Sequence, residues 1–311
     1  MFGAGRRKIP VFVALLICFN NLLIGSAQRQ QRISLTALVT NDEGKAVPGL
    51  KQSDFIVSEG KSVDNIVSFT SADEAMSIGI VIDKSGSMQA ASPRDPTRRR
   101  LELLSKALLN FVAQGNPGNE YFVMAFDSNQ HLLRDWTTRQ NIGALAGLEM
   151  SGKTAFFDGC YAAIQKLNQG RFQRRAIILI SDGKDTESRH SFAELRDVVR
   201  RSDILIYSLT ILDADNYSGS LSAEGKEILT ELSSLSGGQS FFPRVGWPVH
   251  QDQINGALEQ IASELRHLYV LGISPILSDT DSSWHKVKVK LNSGRGHGSL
   301  SVRVRSGYYA N

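Results

Sequence analysis

Cysteine is almost missing from this chain: among 311 residues there are two, Cys18 and Cys160. Cys18 falls in the leader described next, which leaves Cys160 alone. A chain with one thiol has no internal disulfide, so its core must hold it together. Cys160, at a helical position, reads as a small buried apolar residue. A long unbroken apolar run is missing as well. Arg6-Arg7-Lys8 is a charged head, Val11–Phe19 is apolar, Asn20-Asn21 interrupts it, and Gly25-Ser26-Ala27 offers a small-residue cleavage site. This is the pattern of a signal peptide over residues 1–27, short for a membrane span. Ile17, ahead of Cys18, is larger than a lipoprotein site accepts. Excess charge of one sign is missing too. The formal charge of +4 falls to +1 once the three leader cations Arg6, Arg7 and Lys8 are removed. Nucleic acid is therefore not implied as a partner. The expectation is an exported protein, periplasmic, in the cell envelope or secreted, which meets a membrane only if the leader is retained.

What the chain does contain is strand pattern at both ends and alternating strands and helices between them. An apolar content of 41% is ordinary and suffices for a real core. Ile33, Leu35, Ala37 and Val39 alternate with polar neighbours, and Phe55–Glu59 and Asn65–Thr70 read as short strands around Gly60. This β segment, residues 28–74, is too small to stand alone and should dock on something else. Over residues 75–268 the pattern changes. Ile78–Ile82, Tyr121–Phe126, Ala176–Ile180 and Ile204–Leu209 are apolar strands; Leu101–Val112, Phe156–Leu167, Phe192–Val199, Lys226–Leu235 and Ile254–Leu265 have helical spacing. His131–Trp136 reads as an edge strand. Repeated β-α-β with buried strands predicts a doubly wound, mostly parallel, Rossmann-like α/β sheet with helices on both faces. Residues 269–311 revert to β: Val287, Val289 and Leu291 alternate with lysines, and Val302 and Val304 with Arg303 and Arg305. The lysine and arginine rows read as solvated faces and edge protection. The two ends should pack together as one small β subdomain.

The chemistry is concentrated where Ile78–Ile82 ends in Asp83-Lys-Ser85-Gly-Ser87-Met88. Chain leaving a buried parallel strand crosses the carboxyl edge of the sheet, where open α/β folds place ligands. One carboxylate and two hydroxyls there are hard oxygen donors, suited to Mg²⁺, Ca²⁺ or Mn²⁺ and not to zinc. Thr154 opens the central helix and Asp182 follows the strand Ile177–Ile180, which adds a hydroxyl and a second carboxylate at the same edge.

In these residues the sequence resembles the von Willebrand factor A family over about residues 75–270. Its metal-ion-dependent adhesion site combines Asp-x-Ser-x-Ser, a Thr before a central helix and an Asp after the fourth strand. The resemblance implies Ser85, Ser87 and Thr154 as inner ligands, with Asp83 and Asp182 balancing the charge directly or through water. It also implies a Mg²⁺ ion, with Mn²⁺ or Ca²⁺ as alternatives, that captures an Asp or Glu of a partner protein without cleaving it. In adhesion members of the family, binding is coupled to a shift of the last helix, here about Gln253–Leu265. Val47-Pro-Gly-Leu50, Asp54-Phe55, Ser68-Phe69 and the terminal Arg305-Ser-Gly-Tyr-Tyr-Ala310 are similar to von Willebrand-related exported proteins described from acidobacteria.

Three rivals are weighed on the residues. Gly147-Leu-Glu-Met-Ser-Gly-Lys153-Thr154 matches the phosphate-loop string in full. It should follow a buried strand, yet Asn141–Leu148 has helical spacing, Glu149 and Met150 sit where amides should cradle phosphate, and export separates the chain from ATP. A serine hydrolase would need a G-x-S-x-G elbow, absent at Ser85 and Ser87, and a histidine base. His131, His190, His250, His267, His285 and His297 lie in or beside loops and outer strands and read as surface residues. The chain is therefore expected not to be an enzyme. The third reading is a structural envelope component whose metal loop only stabilises the fold. Arg94, Arg98, Arg99 and Arg100 are read as solvated, able to steer an acidic partner. Lys184-Asp185 and the Asp213–Ser220 loop are expected to border the site.

Overall fold

The computed structural model describes residues 32–88, 97–143, 148–213, 222–245, 251–275, 283–292 and 299–309. The expected leader with Cys18, and Arg94, Gly147, the loop after Asp213, His250 and the glycine-rich 293–298 lie outside the described residues, as do the side chains of Arg98, Arg99 and Arg100.

The amino-terminal strands are β1 (Ile33–Thr40), β2 (Phe55–Glu59), β3 (Ser62–Asp64) and β4 (Ile66–Thr70). Then follow β5 (Ser77–Asp83), α1 (Thr97–Gln114), β6 (Glu120–Phe126), β7 (Gln130–Thr138), α2 (Phe156–Leu167), β8 (Arg175–Ile180), α3 (Phe192–Arg201) and β9 (Ile204–Leu209). The short β10 (Leu212–Asp213) precedes α4 (Ala223–Ser236), β11 (Ser240–Phe241), β12 (Arg244–Val245) and α5 (Gln251–Arg266). Strands β13 (Tyr269–Ile273), β14 (Trp284–Leu291), β15 (Ser301–Val304) and β16 (Gly307–Tyr309) complete the chain.

The central sheet has six strands in the order β11-β9-β8-β5-β6-β7, parallel except for β7, which runs antiparallel to β6. Strands β5 and β6 are buried at every residue because helices cover both faces, which is why they read as continuous apolar runs. Ile78, Ile80 and Ile82 join Leu104, Leu108 and Phe111 of α1 and Ile254, Leu258 and Ile261 of α5 in one core. Val81 faces the other core, with Phe156 and Cys160 of α2, Leu195 of α3 and Leu229 of α4. Gly79 leaves room on that face for Phe122, whose ring would lie 2.5 Å from a Cβ. Cys160 is buried, and burial pushes its thiol up, out of the reactive range. The α/β fold class read from the sequence is the one observed.

Strands from the two ends of the chain interleave in two antiparallel sheets, β15-β1-β13-β4 and β16-β14-β2-β3. Leu35, Val57, Leu271 and Val289 belong to the core between them. Leu38 of β1 instead enters the core under α1 and α5.

Two expectations are corrected. The described start of Asn141–Leu148, read as helical from its spacing, is not an α-helix: a 3-10 turn ends at Asn141, and Gly143 follows at φ +73°, a left-handed conformation that stops a helix. The arginine row of β15 is not solvated. Arg303 pairs with Glu264 of α5, which is 0% exposed, and donates from Nε to Gly237 O at 3.1 Å. Arg305 pairs with Asp203 and donates to Ser34 O at 3.0 Å. Both fasten the β sheets to the α/β layer. The lysine row of β14 is exposed. Among the described residues no helix is long and apolar enough to cross a membrane.

Candidate metal centre

Asp83 is the last residue of β5 and is 0% exposed. Its Oδ1 accepts the Ser85 N–H at 2.9 Å and its Oδ2 accepts the Ser181 hydroxyl at 2.7 Å. The 3-10 turn Gly86–Met88 brings Ser85 Oγ and Ser87 Oγ to 3.0 Å from each other. Ile180 of β8 lies opposite Ile82 of β5, so the chain leaving β8 carries Asp182 to the same sheet edge. Asp182 Oδ1 accepts the Lys184 N–H at 3.1 Å. Its Oδ2 is buried with no hydrogen-bond partner, and Lys184 Nζ is 3.5 Å away, an electrostatic neighbour without hydrogen-bond geometry. Gly183 makes this turn at φ +74°, where a Cβ would lie 2.5 Å from Gly225 O.

Thr154 reaches the edge by another route. Ser151 N–H donates to Lys84 O at 2.8 Å and Gly86 N–H to Gly152 O at 3.0 Å, which stitches the two loops together. Thr154 is buried; its N–H donates to Thr186 Oγ1 at 2.9 Å, and its carbonyl accepts the N–H groups of Thr186 and Glu187. Asp83, Ser85, Ser87, Thr154 and Asp182 thus lie on three adjoining loops at one rim. Asp83, Ser87 and Asp182 line a recess of about 30 Å³ together with Met88, Met150 and Ile211.

The electrostatics call for a cation. Burial pushes the Asp83 carboxyl from 3.8 up to about 6, hydrogen bonds from Ser85 and Ser181 oppose the rise, and the charge of Asp182 adds to it. A buried acceptor that has no hydrogen bond and only Lys184 Nζ at 3.5 Å as a positive neighbour, beside a second carboxylate that resists ionising, is stabilised by a further cation. The donors are oxygens only, three of them neutral hydroxyls, a set that fits a hard divalent ion. Among the described residues no three His, Cys, Asp or Glu side chains form a metal-holding group.

Ser181 is the residue that sequence reasoning missed. It stands in the Ser181-Asp182-Gly183 string, yet its bond to Asp83 spans 98 positions and depends on the register of β5 with β8. Thr210 Oγ1 secures it from behind by donating to Ser181 O at 2.6 Å. Lys84 pairs with Asp127, and Lys153 with Glu187 at 2.6 Å, so two lysines on the rim are already engaged. Asp185 Oδ1 accepts the Phe157 N–H at 3.2 Å at the start of α2.

The rival sites do not assemble. In the phosphate-loop string, the N–H groups of Ser151 and Thr154 donate to protein oxygens and are not free for phosphate, and the preceding strand, β7, is an antiparallel edge. Among the described residues no histidine bonds to Ser85 or Ser87. His131 lies 3.2 Å from Asp127 Oδ1, His190 2.7 Å from Asp158 Oδ1 and His267 2.6 Å from Ser263 O. His285 is not a surface residue; it is held between Glu59 and the stacked ring of Tyr308.

A profile of the von Willebrand factor type A domain matches residues 78–184. No curated protein matches the chain in sequence. Among solved structures, the PilB minor pilin from Streptococcus sanguinis is similar at 14% identity and a TM-score of 0.47, over 64% of this chain and 63% of the pilin. The alignment therefore spans just under two thirds of the pilin's own length. An aerotolerance-related membrane protein from Bacteroides fragilis is similar at 19% identity and a TM-score of 0.43, covering 61% of this chain and 98% of that one. Proximal thread matrix protein 1 from the mussel byssus, solved with a zinc-occupied MIDAS motif, is similar at 18% identity and a TM-score of 0.49, over 66% of this chain and 48% of that one.

Proposed function

From the match of residues 78–184 to the von Willebrand factor type A domain, we propose that the chain is an exported binding module whose divalent cation captures an acidic group of a partner protein. Ser85, Ser87 and Thr154 hold the ion, and Asp83 and Asp182 balance its charge. The observation that carries this reading is Asp182 Oδ2, buried and without a hydrogen bond on the rim that Asp83 and Ser87 share. With three neutral hydroxyls among five donors the ion stays electrophilic, and an octahedral Mg²⁺ keeps a position for an outside oxygen. A carboxylate of another molecule fills that position. The chain acts by binding and not by catalysis.

Calorimetric titration of the purified full-length chain tests the site. Mg²⁺ is expected to bind with one-to-one stoichiometry and to lose at least tenfold in affinity in Ser85→Ala and Asp182→Asn. The loaded protein should retain an immobilised Asp-bearing peptide, release it to chelator, and ignore the Asn-bearing version. Unchanged Mg²⁺ affinity in Ser85→Ala would refute the assignment. Export is tested by amino-terminal sequencing of protein recovered outside the cytoplasm, which should begin at Gln28.

A further inference from the structure

Helix α2, which follows Thr154, begins without a cap of its own. Ala155 stands at its N-cap position and has no side-chain oxygen to accept the backbone N–H groups that open the helix. The loop after β8 supplies what is missing. Asp185 Oδ1 accepts the Phe157 N–H at 3.2 Å, and Ser188 Oγ accepts the Asp158 N–H at 3.1 Å while donating to Asp185 Oδ1. The same loop takes the backbone of Thr154 from both sides. Thr186 Oγ1 accepts its N–H at 2.9 Å, and its carbonyl accepts the Thr186 N–H at 2.8 Å and the Glu187 N–H at 3.1 Å. In return Asp158, in the first turn of α2, accepts the N–H groups of Arg189 at 3.1 Å and His190 at 3.0 Å. The loop that carries Asp182 therefore grips the segment that carries Thr154, and each side bonds the backbone of the other.

We infer that Asp185 is a positioning residue for the divalent ion: with Ser188 it caps α2 from outside the helix and so fixes Thr154 on the rim that it shares with Asp182. The inference rests on the metal-site reading proposed above and has Asp185 act through Thr154. If the segment before α2 were loose, the apparent affinity for the ion would fall to the fraction of chains in which Thr154 is in place. The cap removes that cost in advance, because the Phe157 and Asp158 amides are bonded before any ion arrives. A cap needs an acceptor more than a charge, since Asn serves at such positions as well as Asp. The carboxylate adds a smaller favourable effect at the positive end of the helix dipole. Local sequence does not reveal the arrangement, because Asp185 and Phe157 stand 28 positions apart.

The test uses full-length variants, with Mg²⁺ calorimetry for affinity and amide exchange followed by NMR in chelator for the cap itself. Asp185→Ala should bind Mg²⁺ at least fivefold more weakly, and its Phe157 and Asp158 amides should exchange faster with no ion present. Asp185→Asn, which keeps an acceptor and loses the charge, should stay within twofold of the parent affinity and keep both amides protected. In a Thr154→Ala background Asp185→Ala should cost less than twofold, because the residue it positions has lost its hydroxyl. Ser188→Ala removes the other half of the cap; it should lose about threefold, and it decides the matter if Asp185→Ala does not fold. An equal loss in Asp185→Asn and Asp185→Ala would overturn the inference in favour of a charge effect. So would an undiminished fivefold loss in the Thr154→Ala background, or parent affinity in Asp185→Ala while Ser85→Ala and Thr154→Ala both lose theirs. Parent affinity in Ser85→Ala and Thr154→Ala would instead refute the metal-site reading, and this inference with it.

Discussion

Asp83 sets the pH behaviour of the metal centre. Its carboxyl is raised from 3.8 to about 6, by burial first and by Asp182 in addition. A folded value above the unfolded one means that the stability linked to this group is complete below about pH 4 and is lost as pH rises through 6. Full ionisation without a cation costs roughly 3 kcal/mol, and a bound divalent ion offsets it. Urea unfolding of chelated and Mg²⁺-loaded protein at pH 5 and 7.5 measures this. The chelated form should be about 1 kcal/mol weaker at pH 7.5 than Asp83 alone would leave it at pH 5, and Mg²⁺ should add more at pH 7.5. A Mg²⁺ increment that is the same at both pH values would show that Asp83 does not face the ion. At this scale the donors were legible, because Asp-x-Ser-x-Ser after an apolar run is local information. Ser181 was not, because its role exists only once β8 lies beside β5.

Helix α5 is held along the carboxyl-terminal half of its polar face. Glu264 is buried and paired with Arg303, Gln260 Nε2 donates to Glu264 Oε1 at 3.0 Å, and Arg266 Nε donates to Asp73 Oδ2 at 2.7 Å. Removing one partner of a buried pair strands the other charge in a low-dielectric site. Arg303→Ala should therefore destabilise the chain by about 3 kcal/mol in urea unfolding. The Arg303→Met, Glu264→Met double variant should lose less than the two single changes combined, because no charge is left uncompensated. Additive losses would show that the pair is not coupled. If ligand capture moves this helix, as the resemblance to adhesion members of the von Willebrand factor A family implies, the β15 arginine is one contact it must break. The resulting expectation is that Arg303→Met changes affinity for an acidic peptide while Mg²⁺ affinity stays within twofold.

The whole molecule does not divide where composition changes. Residues 75–268 read as the α/β part of the chain, and Leu38 of β1 fills part of its core while Arg303 from β15 neutralises Glu264 inside it. A fragment limited to residues 75–268 leaves a cavity at Leu38 and a buried unpaired carboxylate, together about 5 kcal/mol or more. It should be soluble only in small part or unfold at least 15 °C below the full chain in calorimetry. An equal melting temperature would mean that the flanking strands contribute nothing to the α/β layer. The intact chain should melt in one transition, because β1 and β15 of the flanking sheets send Leu38 and Arg303 into the α/β layer.

The sequence by itself determined the strands, the helices and the donor chemistry. Apolar runs such as Ile78–Ile82, helical stripes such as Leu101–Val112, and oxygen-bearing side chains at strand ends are properties of neighbouring residues. Tertiary structure decided which of them meet. The rows Lys286-Lys288-Lys290 and Arg303-Arg305 have the same alternation, yet the first faces water and the second reaches Glu264 and Asp203. The string Gly147–Thr154 satisfies a phosphate-loop pattern, yet the amides of Ser151 and Thr154 are spent on Lys84 and Thr186. Periodicity tells which face a side chain takes, but the partner on that face is set by strand register and layer packing between segments up to hundreds of residues apart.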